Sequence, residues 1–209
     1  MAQRRHGKVR RSAWMRRHFE DPYVKRANTE GWRSRAIYKL KEIDEKDKLI
    51  KPGMRVVDLG AAPGGWSQYV TRKLNGRGRV VALDVLPIDS LPGVEFIQGD
   101  FTEQIVCRRL KDVLGGERCD LVISDMIPNM SGMKAVDQPK SIYLVELALE
   151  LALEILHVEG VFLAKALQGE GFDGLMASLR KQFRSVCCRK PRASRSQSRE
   201  LFLIGKGIR

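Results

Sequence analysis

No run of eighteen apolar residues occurs in the 209-residue chain, so no segment reads as a membrane-spanning helix. The longest apolar stretch, Ile142 to Leu156, is interrupted by Glu146, Glu150 and Glu154. Cysteine is sparse: Cys107, Cys119, Cys187 and Cys188 form no CxxC pair and have no histidine at ligand spacing. That absence argues against a disulfide scaffold and against a zinc site, and it suits the reducing cytoplasm. Only three histidines are present (His6, His18 and His157), and they read as surface or packing residues. Repeats and low-complexity linkers are missing too. At 43% hydrophobic and 30% charged, the chain is neither disordered nor fibrous. Its length suits a single domain, residues 1–209, with a buried core of its own and no need of a partner subunit, so a monomer is expected.

What is abundant is positive charge, and it is unevenly placed. Residues 1–17 hold seven Lys/Arg and no acid, and residues 180–199 hold eight more, again without an acid. The rest of the chain carries 23 basic residues against 25 acids. The excess therefore sits in two segments, the first a basic N-terminal extension. Clustered cations gain affinity by displacing counterions from phosphates, so these segments predict a nucleic-acid partner. A membrane surface fits less well, because neither segment has a clean apolar face.

Along the body, short apolar runs alternate with helical periodicity. A helix is predicted over Ser34 to Lys48, with Ser34 as its N-cap and Ile37, Leu40 and Ile43 on one face. Strands are predicted at Arg55–Leu59, Val80–Asp84, Val94–Gln98, Asp120–Asp125, Gly160–Lys165, about Ser185–Arg189 and Glu200–Ile204. Helices fall between them, over Trp66–Leu74, about Thr102–Leu114, Gln138–Leu156 and Asp173–Phe183. This alternation predicts an α/β protein with a mostly parallel seven-stranded sheet covered by helices on both faces. Ligands of such sheets bind beyond the carboxyl ends of the strands. Asp84, Asp100, Asp125 and Lys165 all fall at or just past predicted strand ends.

The turn Asp58-Leu-Gly60-Ala-Ala-Pro63-Gly64-Gly65 follows the first strand and opens a helix. Its glycines admit a close ligand and leave helix N–H groups for an anion. The spacing is not G-x-G-x-x-G. Asp84, 24 residues after Gly60, suits ribose hydroxyls, and Asp100 an adenine amino group. One nucleoside with a small charged tail fits better than a dinucleotide, and S-adenosylmethionine is such a ligand.

Three stretches, Asp58 to Gln68, Ser124 to Gly132 and Gln168 to Asp173, resemble the FtsJ/RlmE family of ribosomal RNA 2′-O-methyltransferases. The similarity runs from Trp14 to Ile204. It implies a Rossmann-like methyltransferase fold, S-adenosylmethionine as cofactor and a uridine ribose of large-subunit ribosomal RNA as acceptor. Carried over by motif position, Gly64, Trp66, Asp84, Asp100 and Asp125 are implied to contact the cofactor. The family's Lys-Asp-Lys-Glu set falls on Lys39, Asp125, Lys165 and Glu200. This chain departs from the family pattern at Ile127, where alanine is expected, and at Ala166-Leu167, where Val-Phe is expected.

Lys165 closes the apolar run Val161-Phe-Leu-Ala. Burying an ammonium is costly, so this lysine should be paired, neutral or turned to a cleft. A ribose hydroxyl is a weak nucleophile at neutral pH and gains from an adjacent base. Lys165 is the expected general base and Asp125 the group that positions it, with Lys39 as a second cation that favours the neutral amine. Taken alone, Lys39 would be an ordinary surface lysine, and Glu200 would pair with a neighbouring arginine. Trp14, Trp32 and Tyr38 lie among basic residues and suit base stacking or helix packing equally. Two other functions compete. One is a base amino-methyltransferase, from the faint similarity of Asp125-Met-Ile-Pro128 to Asp-Pro-Pro-Tyr. The other is a non-enzymatic ribosome-binding factor that retains a relic pocket.

Removing residues 1–17 should flatten the dependence of log K for RNA on log salt by about one unit per lost phosphate contact, with cofactor affinity unchanged. An unaltered salt slope would show that the extension faces solvent or another protein.

Overall fold

A computed structural model describes residues 20–209 apart from residues 129 and 196. The basic extension, with His6, Trp14 and His18, lies outside the described residues. Helix α1, Pro22–Thr29, was not expected from periodicity. It is started by Pro22 and by Asp21, whose carboxylate accepts a hydrogen bond from Tyr23 N at 3.0 Å. Helix α2 covers Ile37–Asp47 and begins three residues later than Ser34, with Ala36 before it and no side-chain cap. The Ser34 hydroxyl lies instead where a Cβ on Gly65 would be, so it packs against the next helix rather than capping its own.

The sheet then builds in sequence: β1 (Arg55–Leu59), α3 (Gly65–Leu74), β2 (Arg79–Asp84), β3 (Val94–Gln98), α4 (Gln104–Leu114) and β4 (Cys119–Ser124). Helix α5 (Lys134–Ile155) follows, then β5 (Leu156–Leu167), α6 (Phe172–Gln182), β6 (Phe183–Arg189) and β7 (Glu200–Ile208). The strand order is β3-β2-β1-β4-β5-β7-β6, and β7 runs antiparallel to both its neighbours. Strand β5 is twice the expected length, so Lys165 stands two residues inside its end. Helix α5 starts a turn earlier than expected and holds Pro139 in its second turn.

Alternation along the strands divides the core. Val56, Leu121, Ile123, Leu163 and Phe202 pack against α2 and α3. Val57, Leu59, Val122, Phe162 and Ala164 pack against α4, α5 and α6. Sequence order reverses on either side of β1, whose neighbours are β2 and β4. The carboxyl ends of β1 and β4 therefore flank the switch point at which open α/β sheets take their ligands. No helix among the described residues is long and apolar enough to cross a membrane.

The antiparallel end of the sheet is keyed by aromatic rings. Phe162 and Phe183 stack at 6.3 Å with an interplanar angle of 6°, and Phe162 is opposite Gly205 across β5 and β7. A Cβ on Gly205 would lie 2.5 Å from Phe183 Cδ2. Gly205→Val should therefore destabilise the fold by about 1–3 kcal/mol through overpacking, read as a lower urea midpoint. An unchanged midpoint would show that the ring moves aside freely.

Candidate active site

The turn after β1 is built for close approach. Gly60 and Gly64 have φ of 75° and 97°, in the left-handed region that favours glycine. A Cβ on Gly60 would collide with the Met126 side chain, and one on Gly64 would lie 2.9 Å from both Arg33 Nη1 and Leu91 Cδ1. Gly64 precedes α3, whose first turn holds no acid and no side-chain cap. Asp58 faces the Ser67 amide at the positive end of that helix, and the Gly65 and Trp66 amides before it remain for an anionic group.

Four carboxylates surround this turn. Asp84, at the end of β2, accepts from Ala62 N and Leu86 N, both at 2.8 Å. Each oxygen retains a lone-pair site for a hydroxyl. Asp100 follows β3 and accepts from Thr102 N at 2.9 Å and Thr102 Oγ1 at 2.8 Å, both through Oδ1. Asp125 follows β4. The fourth, Asp58, went unrecognised in the sequence, although an acid inside Val-Val-Asp-Leu is the same signal that singled out Lys165. It is 1% exposed. Ser67 Oγ donates to its Oδ2 at 2.6 Å, while Oδ1 is buried without a partner among the described residues. Burial pushes its carboxyl up to about 7. The Ser67 hydrogen bonds pull the other way, and the Asp125 and Asp84 charges add to the rise.

Trp66 corrects a simple reading of cofactor contact. Its indole is buried, donates to Ala36 O at 2.8 Å and lies 5.8 Å from the Phe202 ring. The side chain fills the α2–β7 interface, leaving only main-chain atoms for a ligand at the turn.

Beyond Asp125 the structure brings together Lys165, Glu200 and Lys39, residues from β5, β7 and α2. Lys165, 7% exposed, donates to Asp125 O at 2.5 Å. Its Nζ is also 2.9 Å from Asp125 Oδ1, an ion-pair distance at an angle that makes no hydrogen bond. Register sets the remainder. Lys165 is opposite Phe202 and Leu167 is opposite Glu200, so Lys165 and Glu200 are diagonal neighbours on the face covered by α2. Lys39 reaches down from that helix. Its Nζ is 2.8 Å and 3.0 Å from the two Glu200 oxygens and 5.8 Å from the Phe202 ring centre. Burial alone would raise the Glu200 carboxyl, but the Lys39 and Lys165 ammonium groups hold it below the usual range. The readings of each residue taken alone change here: Glu200 pairs with a lysine far away in sequence rather than a nearby arginine, and Lys39 is a half-buried partner rather than a solvated lysine.

A cavity of about 950 Å³ opens beside this row, with Tyr23, Arg35, Lys39, Arg195 and Glu200 among its walls. Asp84 and Asp100 are not among its walls, and it reaches the row through Lys39 and Glu200. Several cations of the 180–199 segment are committed internally: Arg189 to Asp47, Arg184 to Glu159, and Arg199 to Gln138. Tyr38 is buried with its hydroxyl on Glu30, which removes it as a base-stacking platform. The Arg72 guanidinium lies 4.0 Å from the Trp32 ring. His157 pairs with Asp120 at the opposite end of the sheet.

A sequence profile described as FtsJ-like methyltransferase matches residues 32–208. The chain is 55% identical over 208 residues to ribosomal RNA large subunit methyltransferase E of Chromohalobacter salexigens, covering 100% of this chain and 99% of that protein. It is 57% identical over 196 residues to the protein of the same name from Dichelobacter nodosus, covering 93% of each. A solved ribosomal RNA methyltransferase from Plasmodium falciparum aligns with a TM-score of 0.78 at 28% identity, over 85% of this chain and 98% of that one.

The donor set fits S-adenosylmethionine. Gly60 and Gly64 leave a cradle that a Cβ would fill, and the remaining amides at the start of α3 suit a carboxylate. The orphaned Asp58 Oδ1 suits a positive tail. The native state retains a proton on Asp58 that the unfolded chain releases, so its destabilising effect grows as pH rises from the ordinary aspartate range to about 7. Asp58→Asn should stabilise the cofactor-free protein by about 2–4 kcal/mol at pH 8 and by much less at pH 4–5. Urea unfolding at the two pH values checks this, and an equal gain at both would show that Asp58 does not titrate there.

Proposed function

The chain belongs to the FtsJ-like methyltransferase family, and from that membership we propose that it transfers a methyl group to the 2′-hydroxyl of a uridine ribose in large-subunit ribosomal RNA. The names of its relatives support ribosomal RNA as the substrate. The observation that carries the ribose reading is Lys165, a buried amine in an apolar strand, paired with Asp125 and diagonal to Glu200, which lines the 950 Å³ cavity. A base amino-methyltransferase has no use for such a residue. We place the enzyme in the cytoplasm as a monomer acting on RNA within the large subunit.

S-adenosylmethionine, when bound, supplies the electrophilic methyl group. Asp84 holds the ribose of that cofactor and Asp100 its adenine, while Gly64 and the Trp66 main chain form the floor. Lys165 takes the proton from the acceptor hydroxyl and is oriented by the Asp125 carbonyl and carboxylate. Lys39 was expected to offset the Asp125 charge, but its ammonium is engaged by Glu200. Its role here is to hold Glu200 and offset its charge, so that Asp125 is left as the carboxylate paired with Lys165, and the neutral form of the amine takes the proton. Positioning of this kind contributes much of the rate in a two-substrate transfer.

Lys165→Ala should lower the single-turnover rate by about 10²–10⁴-fold, with cofactor and RNA affinities close to normal. Lys165→Arg, which keeps its proton near neutrality, should be almost as slow. Wild-type rates should rise with pH and level off, and the product should resist alkali at the methylated nucleotide. Substantial activity in the Arg variant would overturn the base assignment, and an alkali-labile product would overturn the ribose acceptor.

A further inference from the structure

The segment between α1 and α2 carries a residue that the mechanism above does not use. Arg33 N donates to Gln68 Oε1 at 3.0 Å, and Gln68 Nε2 donates to Gly31 O at 2.9 Å, so this stretch is latched to α3. Its guanidinium reaches over the cofactor turn. Nη1 donates to Pro63 O at 3.3 Å and Asp89 O at 2.7 Å, and Nη2 donates to Ser90 O at 2.8 Å. All three acceptors are main-chain carbonyls. One belongs to the turn after β1 and two to the loop after β2.

Asp84 ties the same two segments from within, through Ala62 N and Leu86 N. A carboxylate collecting amides and a guanidinium collecting carbonyls thus hold one pair of loops from two sides. Gly64 lies against the guanidinium, with 2.9 Å left for any Cβ. The arginine therefore fixes both the spacing of the loops and the edge of the turn. A planar fork can serve carbonyls on two segments at once, whereas a lysine ammonium, a compact point donor on a flexible stem, cannot replace that geometry.

We propose that Arg33 is a positioning residue for cofactor recognition: it clamps the two loops so that Asp84 meets the ribose hydroxyls in one fixed geometry. The proposal rests on the reading of Asp84 as the ribose partner. It predicts an effect on selectivity, not only on affinity, because a loosened Asp84 gains less from each hydroxyl.

The test is calorimetric titration of wild type, Arg33→Ala and Arg33→Lys with S-adenosylhomocysteine and with its 2′-deoxy analogue. Wild type should bind the parent about tenfold or more tightly than the analogue, as expected for a lost charge-assisted hydrogen bond. Both variants should bind the parent roughly tenfold more weakly, with the preference falling toward one. Circular dichroism and thermal midpoints report on folding, and Arg33→Lys keeps the charge and stem should the alanine variant unfold. A wild-type preference retained in folded Arg33 variants overturns the clamp alone. No preference in wild type overturns the ribose reading of Asp84 and the clamp with it. Normal cofactor binding with weakened RNA binding would make Arg33 a phosphate contact and also overturn the clamp.

Discussion

An ammonium group buried on the α2 face of the sheet, beside Leu163 and opposite Phe202, demands anions nearby, and that demand organises this end of the sheet. Lys165 satisfies it with Asp125, across the parallel β4–β5 junction, and with the more distant Glu200, across the antiparallel β5–β7 junction. Glu200 is itself buried and needs a cation, which α2 provides through Lys39. Removing one member of such a row leaves an uncompensated charge in a poorly solvated place, which costs far more than the intact pairs contribute. The row therefore constrains where α2 lies, how β7 registers and which way the Lys165 amine points.

The turn side of the cleft works by a different rule. There the acids are more numerous than the cations, and Asp58 is left with an unsatisfied oxygen. A buried carboxyl pushed up to about 7 is a standing cost in the free protein. A positive group brought beside that oxygen would lower the cost.

Much of this was legible in the sequence. Apolar runs separated by glycine turns marked the strands, and strand ends marked Asp84, Asp100, Asp125 and Lys165. What could not be read was long-range pairing. Nothing local tells that Lys39 and Glu200 share a hydrogen bond, or that Trp66 turns toward Ala36. Local signals also competed: Ser34 had the chemistry of a cap but was taken up by contact with Gly65. The Asp21-Pro22 start of α1 was a readable signal that apolar periodicity hid, since only Val24 and Ala27 of that helix are buried. The basic 180–199 segment looked uniform in composition, yet Arg189 and Arg199 make partly buried contacts with Asp47 and Gln138, while Arg184 pairs with Glu159 on the surface.

The insertion of β7 between β5 and β6 has a consequence for the order of assembly. Every part of the cofactor turn, with Asp58, Asp84 and Asp100, is complete by about the middle of the chain. Glu200 and Phe202 belong to the last strand in sequence, and β6, whose one sheet neighbour is β7, can join the sheet only with it. Until β7 is in place, β5 exposes an unpaired edge and Lys39 has no Glu200 to meet. The residues of the turn thus precede in the chain the last member of the charged row, which joins the sheet only with its final strand.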